Sequence, residues 1–341
     1  MKCVSIKGKK QLVVSEIEAP KASNGKVIMD IRKAGICGSD IHYWDMGLPE
    51  SLVMGHEFCG VVTNPGNRKD LKVGDRVTAL PISPCGKCPA CKSGNPQYCP
   101  NTWDNAVGLS LTSPGAYAEQ TSVRSDLVVK VPITVSDAEV AMVEPSAVGL
   151  HAVNLANIKI GDKVLVIGAG IIGEVCAMFA KMYGASFVAV AEANEKRGKK
   201  AVQLRTADEF YDVKDKNFMN KVKENCPYGY DVVLDCSGNS AAVTTALSVV
   251  RPNGTVVMVG ISMESITIPS VVLVMHELKV YGAIGYTYNE FVECINLMAD
   301  RRIDVLRFVD DIVGLSDVQK AFERLTSGNG NEVKILIDPK L

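Results

Sequence analysis

Polar and apolar residues alternate through the first third of the chain. Residues 26–36 (KVIMDIRKAGI), 58–66 (FCGVVTNPG) and 72–80 (KVGDRVTAL) read as short strands with one covered face, the second ending in a Pro-Gly turn. Residues 116–123 and 127–132 close this all-β region. Over residues 136–156 the spacing turns helical, with Ser136 placed to cap the helix. The pattern then changes. Residues 163–173 (KVLVIGAGIIG) predict a strand, a glycine turn and a helix, and further apolar runs follow at 187–192, 231–238, 255–260 and 278–285 with helical spacing between them. Fully apolar strands alternating with helices predict a parallel sheet covered on both faces. An amphipathic helix at 317–325 and a strand at 333–339 end the pattern. The fold class expected is α/β.

Composition narrows the function. The chain has 341 residues, 47% of them hydrophobic, which suits two ordinary cores. No apolar run approaches the length of a membrane-spanning helix. The alternating N-terminal stretch lacks a secretory core, so a cytoplasmic protein is expected. Net charge is −1, and the basic cluster Lys196, Arg197, Lys199 and Lys200 is mixed with glutamates, so it reads as a solvated helix face. Neither nucleic acid nor an anionic membrane is expected as a partner.

Eleven cysteines change the picture. Cys3, Cys59, Cys176, Cys226, Cys236 and Cys294 are scattered among apolar neighbours and read as small buried hydrophobes. Four others, Cys85, Cys88, Cys91 and Cys99, crowd one loop with Gly86, Pro89, Gly94 and Pro96 supplying bends. A redox pair would open a helix where this loop carries Pro and Gly. Spacing alone leaves an iron–sulfur cluster open. A structural zinc held by four thiolates is the preferred reading. Such a site has no open coordination position, so chemistry belongs elsewhere.

Gly168, Gly170 and Gly173 form GxGxxG directly after a strand, with Ile171 and Ile172 between the last two glycines, and Glu192 ends the next strand. This is a dinucleotide cradle with its ribose-binding acid, which points to NAD. Arg197 nearby complicates that preference, because an arginine there can accept the phosphate of NADP. Cys37 and His56, with a carboxylate from Glu57 or Glu144, can form a second zinc site with one open position. Neighbours in a regular strand face opposite ways, so joint ligation by His56 and Glu57 requires a bend.

Together, CGSD at Cys37–Asp40, GHE at Gly55–Glu57, the four-cysteine loop, VGDRV at Val73–Val77, EPSAVGLHA at Glu144–Ala152 and GAGIIG at Gly168–Gly173 resemble the zinc-containing medium-chain alcohol dehydrogenase family, in its polyol (sorbitol-like) and threonine dehydrogenase branch. The resemblance spans essentially the whole chain. It implies a mostly β, GroES-like catalytic domain from residues 1–150 and 286–341, carrying the zinc lobe 85–99, around a Rossmann domain at 151–285. It implies two zinc ions per chain: a catalytic one at Cys37 and His56, with Glu57 or Glu144 completing the shell directly or through water, and a structural one. It implies a proton relay from Ser39 to His42, with Tyr43, Trp103 and Tyr286 as candidate substrate contacts, and a homodimer or homotetramer. The expected reaction is hydride transfer from a secondary alcohol of a polyol or sugar-derived substrate to NAD. A threonine-type dehydrogenase, a phosphorylated-polyol dehydrogenase and, remotely, a non-catalytic zinc-binding regulator are the alternatives. Gly285 stands where sorbitol dehydrogenases carry a substrate-binding arginine, and Ser113-Pro114-Gly115 replaces an acidic-Gly-Gly turn.

Overall fold

The computed structural model describes residues 1–262, 265–328 and 330–341. It forms two compact units, Met1–Pro145 with Tyr286–Ser327 and Lys334–Leu341, and Ser146–Gly285 with Gly328–Val333.

The first unit is built on a seven-stranded sheet. Its order runs Val309–Val313, Lys334–Ile337, Lys26–Gly35, Glu57–Asn64, Arg76–Ala79 and Val128–Lys130, with Gln120–Arg124 also pairing on Lys26–Gly35. The central strand Lys26–Gly35 alternates as its sequence predicts and buries Met29, Ile31 and Ala34. The helix Val318–Thr326 packs its apolar stripe Val318, Ala321, Phe322 and Leu325 into the same core, at the spacing of one helix face. Phe322 meets Trp44 at 5.7 Å and the edge of Tyr117 at 6.2 Å. Residues 136–156 form two helices, not one. Ser136 caps Asp137–Ala141 with Glu139 reaching back to its amide, and Met142 then donates to the Glu139 carbonyl in a tightened turn before Val143–Ala156 begins.

In the second unit six parallel strands lie in the order Glu209–Asp212, Phe187–Glu192, Lys163–Ile167, Tyr230–Asp235, Val250–Met258, Lys279–Gly282. The first strand in the sequence, Lys163–Ile167, therefore sits in the middle, and the winding reverses between it and Tyr230–Asp235. Ligands of doubly wound sheets bind outside the carboxyl ends of strands at such a switch point. The strand Glu209–Asp212 is too short and polar to stand out in the hydrophobic pattern. Among the described residues no helix is long and apolar enough to cross a membrane. Five of the six scattered cysteines are buried, while Cys236 is half-buried beside the Gly168 turn.

Candidate metal centres and dinucleotide site

Cys37 and His56 come from opposite ends of a loop that connects two neighbouring strands. Cys37 precedes the helix Gly38–Met46, and its amide donates to the Asp40 carboxylate at 3.0 Å. His56 lies just before the strand Glu57–Asn64 begins, and Gly55 ahead of it has φ of 100°. That left-handed turn is the bend that lets adjacent His56 and Glu57 face one place. A Cβ at Gly55 would lie 2.6 Å from the Tyr117 ring, so only glycine fits.

Cys37, His56 and Glu57 each present a ligand atom within 4.8 Å of the others. His56 is 5% exposed, and its Nδ1, 3.5 Å from Asp40 Oδ1, completes no hydrogen bond among the described residues. Burial opposes charge on the His56 ring, yet the Asp40 carboxylate and the Cys37 thiol beside it win and lift its pKa well above the ordinary range. The side chains that face the ring favour positive charge there. A thiol, an imidazole and a carboxylate in a buried, electron-rich cluster suit zinc.

Glu57 is also committed elsewhere. Fully buried, it pairs through Oε2 with the ammonium of Lys334, itself fully buried, while Oε1 has no hydrogen-bond partner among the described residues. Lys334 Nζ donates in addition to the Ile36 carbonyl at 2.9 Å. A Cβ at Gly35 would lie 1.9 Å from the Glu57 carboxylate, so the glycine makes room for the pair. Lys334 is a site residue that the sequence motifs do not mark.

Glu144, at the first turn of Val143–Ala156, lies outside the three-residue cluster but within its field. Burial raises its pKa to about 7, against the pull of His56. Beside it, Tyr286 is 3% exposed, with its hydroxyl turned to the Glu144 carboxylate. Ser39 Oγ is 3.5 Å from His56 Nε2, and His42, one helical turn along, is exposed. Tyr43 is half-buried against the core of this unit, and Trp103 is 40% exposed in a turn beyond the cysteine loop.

Cys85, Cys88, Cys91 and Cys99 likewise converge within 4.8 Å. Backbone amides turn onto the sulfurs: Cys85 N donates to Cys99 Sγ at 3.3 Å, Cys88 N to Cys85 Sγ at 3.4 Å and Cys91 N to Cys88 Sγ at 3.5 Å. The amides of Lys87 and Cys88 draw the Cys85 thiol down to about 6, whereas burial and the neighbouring Cys88 sulfur push Cys91 up to about 12. Four thiolates cannot coexist this closely without a cation, and a tetrahedral zinc supplies one. Cys91→Ser is expected to lower zinc content from about two to about one per chain and to reduce stability before it touches turnover. Unchanged zinc by metal analysis would contradict the assignment.

In the second unit Gly168 has φ of 101°, and a Cβ at Gly173 would sit 1.9 Å from the Gly168 carbonyl, so turn and helix close tightly. A Cβ at Gly170 would meet nothing within 4 Å. That open space at the start of the twelve-residue helix Ile171–Met182 fits a pyrophosphate on its free amides. Ile171 is buried and Ile172 half-buried. Glu192 is already braced: Oε2 accepts from Ala169 N at 2.6 Å and Oε1 from Asn194 N at 2.7 Å. Each oxygen keeps a lone pair for a ribose hydroxyl. Asn194 accepts from the amides of Lys196 and Arg197 and donates to the carbonyls of Gly328 and Gly330, which fixes its amide orientation. Arg197 is half-buried at the first turn of its helix.

Comparison with known proteins agrees with this geometry. Residues 23–133 match the alcohol dehydrogenase GroES-like domain, and residues 172–300 match the zinc-binding dehydrogenase family. D-xylulose reductase A of Aspergillus oryzae is 32% identical over 324 residues, covering 91% of this chain and 88% of the relative. The structure of 2R,3R-butanediol dehydrogenase from Bacillus subtilis superposes with a TM-score of 0.88 at 29% identity over 99% of each chain. The alcohol dehydrogenase RspB of Escherichia coli CFT073, solved with NADH, superposes with a TM-score of 0.91 at 25% identity over 99% of each chain.

Proposed function

This chain belongs to the zinc-containing medium-chain alcohol dehydrogenase family, and from that premise we propose that it oxidises a secondary hydroxyl of an unphosphorylated polyol or sugar-derived substrate with NAD. It is a zinc-dependent polyol dehydrogenase, an oxidoreductase of CH–OH groups that uses a nicotinamide dinucleotide. Residues 1–150 and 286–341 are assigned the catalytic role and 151–285 the dinucleotide-binding role, a division that the compact units support.

The observation that carries this reading is the convergence of Cys37, His56 and Glu57. Zinc held there by Cys37 and His56, with Glu57 or Glu144 completing the shell, supplies a Lewis acid for the substrate hydroxyl, and the nicotinamide supplies the hydride acceptor. Ser39 takes the proton that leaves the substrate hydroxyl. His42, three residues on and so on the same helix face, passes it to water. Tyr286 and Glu144 offer a buried hydroxyl and a half-buried carboxylate to a second substrate hydroxyl, while Tyr43 and Trp103 are the candidate walls.

Phosphate recognition runs through Arg or Lys forks. Lys334, the one buried lysine or arginine among the described residues, is held by Glu57, and Gly285 brings no charge. A panel of free polyols, sugar acids, phosphorylated polyols, threonine and simple primary alcohols, assayed at matched concentrations, tests the substrate class. Turnover of a free polyol or sugar acid is expected. Rapid oxidation of the other classes alone would overturn it.

The placement of Glu192 supports NAD over NADP, because a carboxylate there repels a ribose phosphate. A contact unfavourable by about 2–3 kcal/mol predicts a kcat/KM ratio of roughly 30–150. Equal efficiency with the two cofactors would mean that Arg197 dominates.

A homo-oligomer is proposed through the sheet edge. Among the described residues the strand Lys279–Gly282 pairs on one side only, and the helix Ser270–His276 before it exposes Val271, Val274 and Met275. An exposed apolar patch beside an open edge calls for a partner. A monomeric mass at micromolar concentration would contradict this.

A further inference from the structure

We propose that Tyr117 is a positioning residue for the catalytic zinc ligands, acting through Asp40. This rests on the assignment of zinc to Cys37 and His56. Asp40 is fully buried and touches both: Oδ2 accepts from Cys37 N at 3.0 Å, and Oδ1 lies 3.5 Å from His56 Nδ1. One carboxylate thus fixes the backbone of the thiol ligand and faces the imidazole from behind. The shortest contact to that carboxylate comes from Tyr117, whose hydroxyl donates to Oδ2 at 2.6 Å and lies 3.2 Å from the Gly35 carbonyl. Tyr117 is itself fully buried, 77 residues away in sequence from Asp40.

A buried carboxylate holds its geometry only if its lone pairs are satisfied, and a charge-assisted O–H bond is the strongest such restraint here. Without it, Asp40 keeps the hydrogen bond from the Cys37 amide, and the carboxylate is free to shift against the imidazole it faces. The Tyr117 ring contributes separately from its hydroxyl, because it fills the space beside Gly55 and packs its edge on Phe322. Tyr117→Phe keeps the ring and removes only the hydroxyl. Partners behind metal-bound histidines are worth about 10–100-fold in metal affinity.

The test is zinc release from the holoenzyme into excess chelator, followed for wild type, Tyr117→Phe and Asp40→Asn. Cys91→Ser identifies the phase that belongs to the four-cysteine site, which serves as an internal control in the same molecule. Tyr117→Phe is expected to speed release from the Cys37–His56 site about tenfold and leave the four-cysteine phase unchanged. With cobalt at that site, its visible absorption should shift in the same variant. Unchanged release in Tyr117→Phe while Asp40→Asn speeds it would overturn the role of Tyr117. Equal acceleration of both phases would show general loosening and overturn it as well. A wild-type chain holding only the four-cysteine zinc would overturn the zinc assignment and this inference with it.

Discussion

His56→Ala is expected to abolish alcohol oxidation while leaving the dinucleotide fold intact. In the proposed site the imidazole is one of the two ligands on which the open zinc position depends, and Cys37 with one carboxylate would be too few to hold the ion. Losing a Lewis acid worth at least about 4 kcal/mol in the transition state predicts a fall in kcat/KM of about 10³-fold or more. Zinc content should drop by about one per chain, and NADH affinity, measured by fluorescence, should change little because Gly168, Gly170 and Glu192 lie in the other unit. Retention of activity within tenfold would remove His56 from the metal site.

The second large effect is on stability. Lys334→Met leaves the Glu57 carboxylate without its ammonium partner in a place where both side chains are fully buried. Breaking a buried pair from one side costs about 3–5 kcal/mol, because the remaining charge stays desolvated. Replacing both, as Lys334→Met with Glu57→Gln, should recover much of that loss. The cycle is measured by denaturant unfolding, following the tryptophans Trp44 and Trp103, both in the first unit. Two single variants whose losses simply add would show that the pair does not act as a unit.

The residues behind these two effects differ in how visible they are in the sequence. His56 stands in a three-residue motif near Cys37, and its residue type makes it a candidate metal ligand. Lys334 sits 277 residues from Glu57, and nothing in a strand reading of 333–339 marks one lysine as buried. Sheet pairing places it there: Lys334–Ile337 lies between Val309–Val313 and Lys26–Gly35. Asp40 is legible in principle, since an acid three residues after a helix-capping position reaches back to the cap amide. Tyr117 is not, because its hydroxyl contact is made across the core. The cysteine loop and the glycine turn are legible because each pattern is local. Each needs only backbone bends and a short spacing. Strand alternation alone leaves open whether His56 and Glu57 can face one site, and the left-handed Gly55 resolves it: the strand starts at Glu57, so alternation does not extend to His56.

In the proposed function, a zinc held by Cys37 and His56 drives the polyol dehydrogenase chemistry. The decisive experiment removes that zinc with a chelator, verifies by metal analysis that the four-cysteine zinc remains, and follows NADH formation from a free polyol as zinc is returned. Activity is expected to disappear with the first ion and to return in proportion to its reoccupation. Undiminished NADH formation with the Cys37–His56 site empty would show that the chemistry does not depend on this ion.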